Sequence, residues 1–226
     1  MNVTLIGYGK MGKEVENILL QRGHSIILKI NSDEELKNVD SSDNICIDFT
    51  TPEVFRKNYK FIADKFAGAV VGTTGWNNIE EDVKNYFKDK NKKLIYGSNF
   101  SVGVNIFFNM LEKLSEALSN AGGYYPYILE MHHNEKKDAP SGTAKTAQKI
   151  VEEYFGKEIY PASIRAGNVK GMHEAGFESS VDRIILKHEA YSREGFAFGA
   201  VLAAEWMQST DSIHNFRDLV KEKLKL

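Results

Sequence analysis

One cysteine, four prolines and two tryptophans among 226 residues remove several classes of protein at the outset. The lone thiol, Cys46, excludes an intramolecular disulfide. It lies inside the apolar run Ile45-Cys46-Ile47, which makes it a buried structural thiol rather than a nucleophile. A chain without a disulfide framework suits the reducing cytoplasm. An excess of charge is missing too: 29 basic against 31 acidic residues leave a net charge of −2. With no basic field and no Lys/Arg run, nucleic acid is not an expected partner. No apolar run approaches the roughly 18 residues of a membrane span. The N-terminus enters Val3-Thr4-Leu5-Ile6 directly, without a basic segment and a cleavable apolar stretch. The expectation is a cytoplasmic protein that contacts no membrane. Internal repeats, low-complexity tracts and long linkers are likewise missing.

What is present is ordinary globular composition, 42% hydrophobic and 27% charged. Short apolar runs rich in β-branched residues occur at Val3–Ile6, Ile26–Ile30, Ile45–Phe49, Ala69–Val71 and Leu94–Tyr96, as in strands buried on both faces. Helical periodicities lie between them: Met11, Val15, Ile18 and Leu19, capped at Gly23; then Val54, Asn58, Phe61, Ile62 and Lys65; then Ile79, Val83, Tyr86 and Phe87. Strands alternating with helices predict an α/β fold with a Rossmann-type, doubly wound parallel sheet. Beyond Phe100 the pattern changes. A long helix over Val104–Leu118, a strand over Tyr127–His132 and a helix from Ser141 to Phe155 are followed by strands at Phe177–Ser180 and Arg183–Lys187. This is a smaller α+β region with a mostly antiparallel sheet. Phe198–Leu224 reads as helical again. The expected division is residues 1–102 with 196–226 as a dinucleotide-binding domain, and 103–195 as a substrate-binding and tetramerisation domain.

Gly7-Tyr8-Gly9-Lys10-Met11-Gly12 fits G-x-G-x-x-G without a gap, after the first strand and at the start of the first helix. The first glycine permits the turn, the second lets a pyrophosphate approach the backbone, and the third lets helix and strand pack closely. The helix N-terminus then faces the phosphates. The acidic residue that usually meets the adenosine ribose should stand about 20 residues on. Asn31 occupies that place, with Asp33 close behind, and Lys10 is a cation able to neutralise a 2′-phosphate. Strict preference for either NADH or NADPH is therefore not expected. Gly72-Thr73-Thr74-Gly75 and Gly97-Ser98-Asn99-Phe100 each follow a strand, at the end where open α/β sheets bind ligands.

The stretch Glu130-Met131-His132-His133-Asn134-Glu135-Lys136-Lys137-Asp138-Ala139-Pro140-Ser141-Gly142-Thr143-Ala144 carries the most chemistry. Strand alternation puts His132 and His133 on opposite faces and lets His132, Asn134 and Lys136 share one. Adjacent strand histidines with no cysteine beside them are poor chelators, so no metal is expected. Ser141 is a favoured helix cap, and Gly142 and Thr143 begin a helix whose N–H groups suit a carboxylate or phosphate. Lys136 adds a cation that can move a proton. An imidazole, an ammonium and an anion cradle suit a small carboxylate-bearing substrate that needs protons while it takes a hydride. A polar surface loop with a capped helix would produce the same local pattern.

This segment resembles that of the 4-hydroxy-tetrahydrodipicolinate reductase (dihydrodipicolinate reductase) family, and the chain is similar to it nearly throughout. Gly72-Thr73-Thr74-Gly75, Asn99-Phe100-Ser101-Val102-Gly103-Val104-Asn105 and Arg165-Ala166-Gly167 with Gly171 and His173 also match. The resemblance implies reduction of 4-hydroxy-2,3,4,5-tetrahydrodipicolinate to tetrahydrodipicolinate by NADH and/or NADPH, in lysine and diaminopimelate biosynthesis. It implies His132 as proton donor/acceptor and Lys136 as proton donor. His133, Gly142 and Thr143 then hold the dicarboxylate substrate. Gly7, Tyr8, Gly9, Lys10, Met11, Asn31, Gly72, Thr73, Thr74, Gly97, Ser98, Asn99 and Phe100 serve the cofactor, and the assembly is a homotetramer. Three places depart from the family pattern: a glycine loop shorter by one residue with Lys10 where Arg is common, Ser98 before Asn99, and Asn31 after the second strand. All three touch the cofactor. Two other readings compete: a dehydrogenase of similar layout acting on an amino acid such as aspartate, and a dinucleotide-sensing regulator without turnover.

Overall fold

Short β-branched runs and amphipathic stretches alternate along the first hundred residues. The computed structural model, which describes residues 1–210 and 212–226, turns that alternation into β1 (Asn2–Ile6), α1 (Lys10–Gln21), β2 (Ser25–Ile30), α2 (Asp33–Lys37), β3 (Ile45–Asp48), α3 (Pro52–Lys65), β4 (Gly68–Val71), α4 (Glu80–Asp89) and β5 (Lys93–Tyr96). There follow α5 (Val102–Ala121), β6 (Tyr125–His132), α6 (Gly142–Phe155), β7 (Ala162–Arg165), β8 (Gly171–Glu178) and β9 (Arg183–Ala190). The chain ends in α7 (Glu194–Trp206), β10 (Ile213–Asn215) and α8 (Phe216–Leu224). Two compact units result: Met1–Val102 with Arg193–Lys223, and Gly103–Ser192 with Leu224–Leu226. Among the described residues no helix is long and apolar enough to cross a membrane.

The first unit holds a six-stranded sheet in the order β10-β5-β4-β3-β1-β2. Every pair in it is parallel, the Rossmann-type arrangement the alternation predicts. The chain leaves β1 toward β2 on one side and toward β3 on the other, so the strand order switches beside β1. Register aligns the strand ends: Ile6 pairs with Ile30 and Asp48, Asp48 with Val71, and Val71 with Tyr96. The five loops that follow these residues therefore leave along one edge of the sheet. Beneath them, Phe55 and Ile62 of α3, Phe87 of α4 and Val71 of β4 form a fully buried cluster. Each such side chain contributes on the order of 1.5–3 kcal/mol over its exposed state. α1 stops at Gly23, at φ 76°, where the Gly23 N–H donates to Leu20 O and the His24 N–H to Leu19 O. That is the double closure in which glycine relieves the left-handed strain.

Three expectations for this unit change. β2 is an edge strand and not buried on both faces: Ile27 is 47% exposed and Leu28 41%. The buried stripe of α3 runs through Phe55, Asn58, Ile62 and Ala63, not Val54 and Phe61, because the helix turns Phe55 into the core cluster and Phe61 away from it. The helix expected over Phe198–Leu224 breaks after Trp206 into a single tight turn at Met207–Ser209, and Ile213–Asn215 pairs with β5. Three residues are too few to show a period of two. The free edge of β5 makes them a strand.

In the second unit the sheet order is β7-β6-β8-β9. β8 is antiparallel to both neighbours and β7 is parallel to β6. Alternation along β6 and β8 turns Ile128, Glu130 and His132, and His173, Ala175 and Phe177, to the buried face. α5 covers that face with Phe107, Phe108 and Leu111, and α6 with Ala147, Ile150 and Val151. β8 begins earlier than expected, at Gly171. It turns into β9 through Ser179, whose N–H donates to Asp182 O.

Candidate active site

At the edge of the parallel sheet the three glycines of the first loop meet three different constraints. Gly7 has φ 84°, and a Cβ there would stand 2.5 Å from Phe49 O. Around Gly9 a Cβ would meet nothing within 4 Å, so that face of the loop is open. A Cβ on Gly12 would strike the Gly7 carbonyl, so helix and loop pack at backbone contact. α1 starts at Gly9 with no side-chain cap and no acidic residue in its first turn. Its positive end therefore faces outward, as a pyrophosphate requires. Lys10 and Met11 begin this helix, and Lys10 is exposed.

Asn31 Oδ1 accepts the Tyr8 N–H at 3.0 Å, which ties the end of β2 to the glycine loop. The Tyr8 hydroxyl bonds to Glu16, and Lys29 Nζ stands 4.5 Å above the Tyr8 ring. Asp33, the alternative acid for a ribose, is engaged elsewhere. It pairs with Lys57 and accepts Asn58 Nδ2 at 2.7 Å. The carboxylate that reaches the end of β2 is instead that of Glu35, whose Oε2 accepts the Asn31 N–H at 2.6 Å.

Gly72 lies against the Phe49 ring, where no Cβ fits. Thr73 turns inward: its Oγ1 donates to Asp48 Oδ1 at 2.5 Å and accepts the Thr50 N–H at 2.8 Å. Thr74 is exposed. Burial lifts the Asp48 carboxyl to about 6, against the donation from Thr73 and Thr50. In the last loop Ser98 is exposed and Gly97 half-buried, and Asn99 Oδ1 accepts the Ser101 N–H. The Phe100 ring is core. It stacks on Phe216 at 4.6 Å and meets Phe49 edge-on at 6.3 Å. For Thr73 and Phe100, then, it is the backbone that borders the open edge.

The second unit gathers the histidine-lysine segment. β6 ends at His132, so the strand alternation expected for His133, Asn134 and Lys136 does not continue. The Lys136 N–H closes a turn on His133 O at 3.2 Å. Ser141 caps α6 as expected, its Oγ accepting the Ala144 N–H at 3.2 Å, and the left-handed Gly156 ends the helix. Gly142 is exposed at that helix start, next to Thr143, and no acidic residue lies in the first turn. Lys136 Nζ pairs with Asp138 at 2.8 Å, which holds that carboxyl below its usual range.

Sequence reasoning passed over the group in the middle. Glu130 is fully buried. Its Oε1 accepts the Ser141 N–H at 3.2 Å, Ser163 Oγ at 2.7 Å and Arg165 Nη2 at 2.9 Å. Its Oε2 lies 3.1 Å from His132 Nδ1 and 3.8 Å from His173 Nε2. Burial pushes the Glu130 carboxyl up, but its three donors and His132 outweigh that and leave it at about 2. Burial lowers His132, with Glu130 opposing. Burial and His132 together hold His173 at about 4, so His173 is neutral near pH 7. The signal was available: Glu130 and His132 are two residues apart on a strand, hence on one face. Glu130, His132 and His173 offer ligand atoms within 4.8 Å of one another, a spacing a metal ion could use. The Arg165 guanidinium on Glu130 already supplies the compensating cation. The carboxylate is thus already paired and hydrogen-bonded within the protein.

Comparison with known proteins agrees with both halves of this picture. Residues 1–100 match the family model "Dihydrodipicolinate reductase, N-terminus", and residues 103–220 match "Dihydrodipicolinate reductase, C-terminus". A protein of Christiangramia forsetii named 4-hydroxy-tetrahydrodipicolinate reductase is 38% identical, with 100% of both chains covered. One of the same name from Thermosipho africanus is 32% identical over 98% of this chain and 99% of its own. A dipicolinate-bound dihydrodipicolinate reductase from a Paenisporosarcina species shares the fold, with a TM-score of 0.79 at 19% identity over 95% of this chain and 97% of that one. An aspartate dehydrogenase from Thermotoga maritima is more distant, with a TM-score of 0.52 at 11% identity over 95% and 99%.

Proposed function

The chain belongs to the dihydrodipicolinate reductase family, and from that premise we propose that it reduces 4-hydroxy-tetrahydrodipicolinate to tetrahydrodipicolinate with a nicotinamide dinucleotide, in lysine and diaminopimelate biosynthesis. The observation that carries this reading is the second unit's cluster: a buried imidazole, the Lys136 ammonium and the start of α6 on one short segment. The substrate's hydroxyl leaves as water and takes up one proton, and the ring gains one hydride.

The residues of the first unit fit the dinucleotide. The open face at Gly9 admits the pyrophosphate backbone-first, and the uncapped start of α1 faces it. Gly7, Tyr8, Lys10, Met11 and Asn31 are proposed for the adenosine half, and Gly72, Thr73, Thr74, Gly97, Ser98, Asn99 and Phe100 for the nicotinamide half. When bound, the reduced cofactor supplies the hydride. Asn31 accepts without repelling a 2′-phosphate, Lys10 attracts one, and Glu35 favours a free ribose. Both NADH and NADPH are therefore proposed to serve.

In the second unit, Gly142 and Thr143 at the positive end of α6 take one substrate carboxylate. His133 contributes to binding, Lys136 delivers the proton to the leaving hydroxyl, and His132 holds or returns a proton beside it. A cytoplasmic homotetramer is proposed as the working form. Its interface would be the open face of the second sheet, where Ile185 is 49% exposed.

The test is direct. With freshly generated substrate and NADH or NADPH, cofactor absorbance should fall, and Lys136→Ala should lower kcat about 10²-fold or more. Wild-type protein that binds dinucleotide but turns over with neither cofactor would overturn the reading.

A further inference from the structure

We infer that Glu130 is a positioning residue, which orients His132 and ties it to both the lysine loop and the start of α6. The inference rests on the reductase reading for its functional meaning, but its geometry stands by itself. Three pieces of the second unit must hold still relative to one another: His132 at the end of β6, the loop bearing Lys136, and the helix start at Gly142. All three converge on the one carboxylate, by ion-pair contact, by a direct hydrogen bond or through Arg165. His132 Nδ1 is 3.1 Å from Oε2. The helix start is held through the Ser141 N–H on Oε1. The lysine loop is held through Arg165, which donates to Glu130 Oε1, to Lys136 O at 3.2 Å and to Asp138 O at 2.6 Å.

This wiring has a chemical consequence. A carboxylate facing Nδ1 favours the tautomer with the proton on Nδ1 and leaves Nε2 with its lone pair. Gly171 keeps space on that side: a Cβ there would stand 3.1 Å from His132 Nε2. The 3.1 Å contact between Nδ1 and Oε2 is electrostatic, since neither atom completes a hydrogen bond. The charged and titratable groups facing His132 are Glu130 on its own strand, Lys136 and Asp138 from the loop, Arg165 from β7 and His173 from β8. His188 of β9 stands opposite His173. Lys136 and Arg165 oppose protonation of His132, and Glu130 is the nearest group that supports it.

Nitrogen-resolved imidazole NMR of the full chain reads this without turnover. In the wild type, His132 is expected as the Nδ1–H tautomer above its titration midpoint. In Glu130→Gln that midpoint should move to lower pH by about 1 unit or more, and the His132 limb of the kcat/KM profile should move with it. Ser163→Ala removes a bond to the same carboxylate but no charge, and should leave the midpoint in place. Thermal melts, with the amide spectrum of the second unit, check that the variants are folded. A wild-type Nε2–H tautomer, a folded Glu130→Gln with an unmoved midpoint, or an equal shift in Ser163→Ala would each overturn the inference. If Glu130→Gln does not fold, the wild-type tautomer still decides it. Absence of turnover with the expected tautomer would instead strike the reductase reading alone.

Discussion

Asp48 and Glu130 are both carboxyl groups withdrawn from water, yet they titrate in opposite directions. Glu130 has a guanidinium, a hydroxyl and a backbone N–H on one oxygen, enough to outweigh burial and bring it to about 2. Asp48 has Thr73 and Thr50 as its donors among the described residues, and burial brings it to about 6. A carboxyl raised in the folded state binds more protons folded than unfolded between its two pKa values. The fold therefore loses stability as pH rises from about 3.8 to about 6. Asp48→Asn removes the charge that burial opposes. The variant should be more stable than wild type above pH 6, by on the order of 1–3 kcal/mol, and the difference should vanish below pH 4. Paired thermal melts across that range check it, and a difference that does not change with pH would refute it. In the sequence Glu130 was legible as a neighbour of His132 on one strand face, and no further. Its role depends on Ser163 and Arg165, more than 30 residues away.

Among the elements, α1 and α6 were the most legible, because their ends are set by local chemistry. Gly23 closes one, Ser141 and Gly156 bound the other, and each acts within a turn of its own helix. The glycine loop lets its three residues be separated experimentally. Gly12→Ala drives a methyl into the Gly7 carbonyl and should cost about 1–3 kcal/mol of stability. Gly9→Ala meets nothing in the protein, so its melting point should stay near wild type. Dinucleotide affinity should nevertheless fall about tenfold or more, roughly 1.4 kcal/mol. Calorimetric titration beside a melting curve reads both. A Gly9→Ala protein with unaltered affinity would remove the pyrophosphate from this loop. β10 and the phase of α3 were not legible, since a neighbour decides each. β5 recruits Ile213–Asn215, and the sheet selects Phe55 over Phe61.

On the scale of the whole molecule, the second sheet presents one face to α5 and α6, and on the opposite face Ile185 is 49% exposed. The face opposite those helices, with Ile185 on its edge strand β9, is the surface proposed for assembly. A charge placed there would be desolvated four times over in a tetramer and not at all in a monomer. Ile185→Lys should therefore reduce the mass measured by light scattering while leaving dinucleotide binding intact. A wild-type chain that sediments as a monomer would reject the proposal. The amino-acid sequence by itself determined the alternating α/β order, the glycine loop, the capped start of α6 and the histidine-lysine segment. All of these rest on spacing and on residues a few positions apart. Only the tertiary structure decided that Asp33 turns to Asn58 and Lys57, that the Phe100 ring and the Thr73 hydroxyl face inward, and that Glu130 joins His132, Arg165 and Ser141. These facts follow from which strands lie side by side and in what register, and contacts across a sheet leave no periodic mark along the chain.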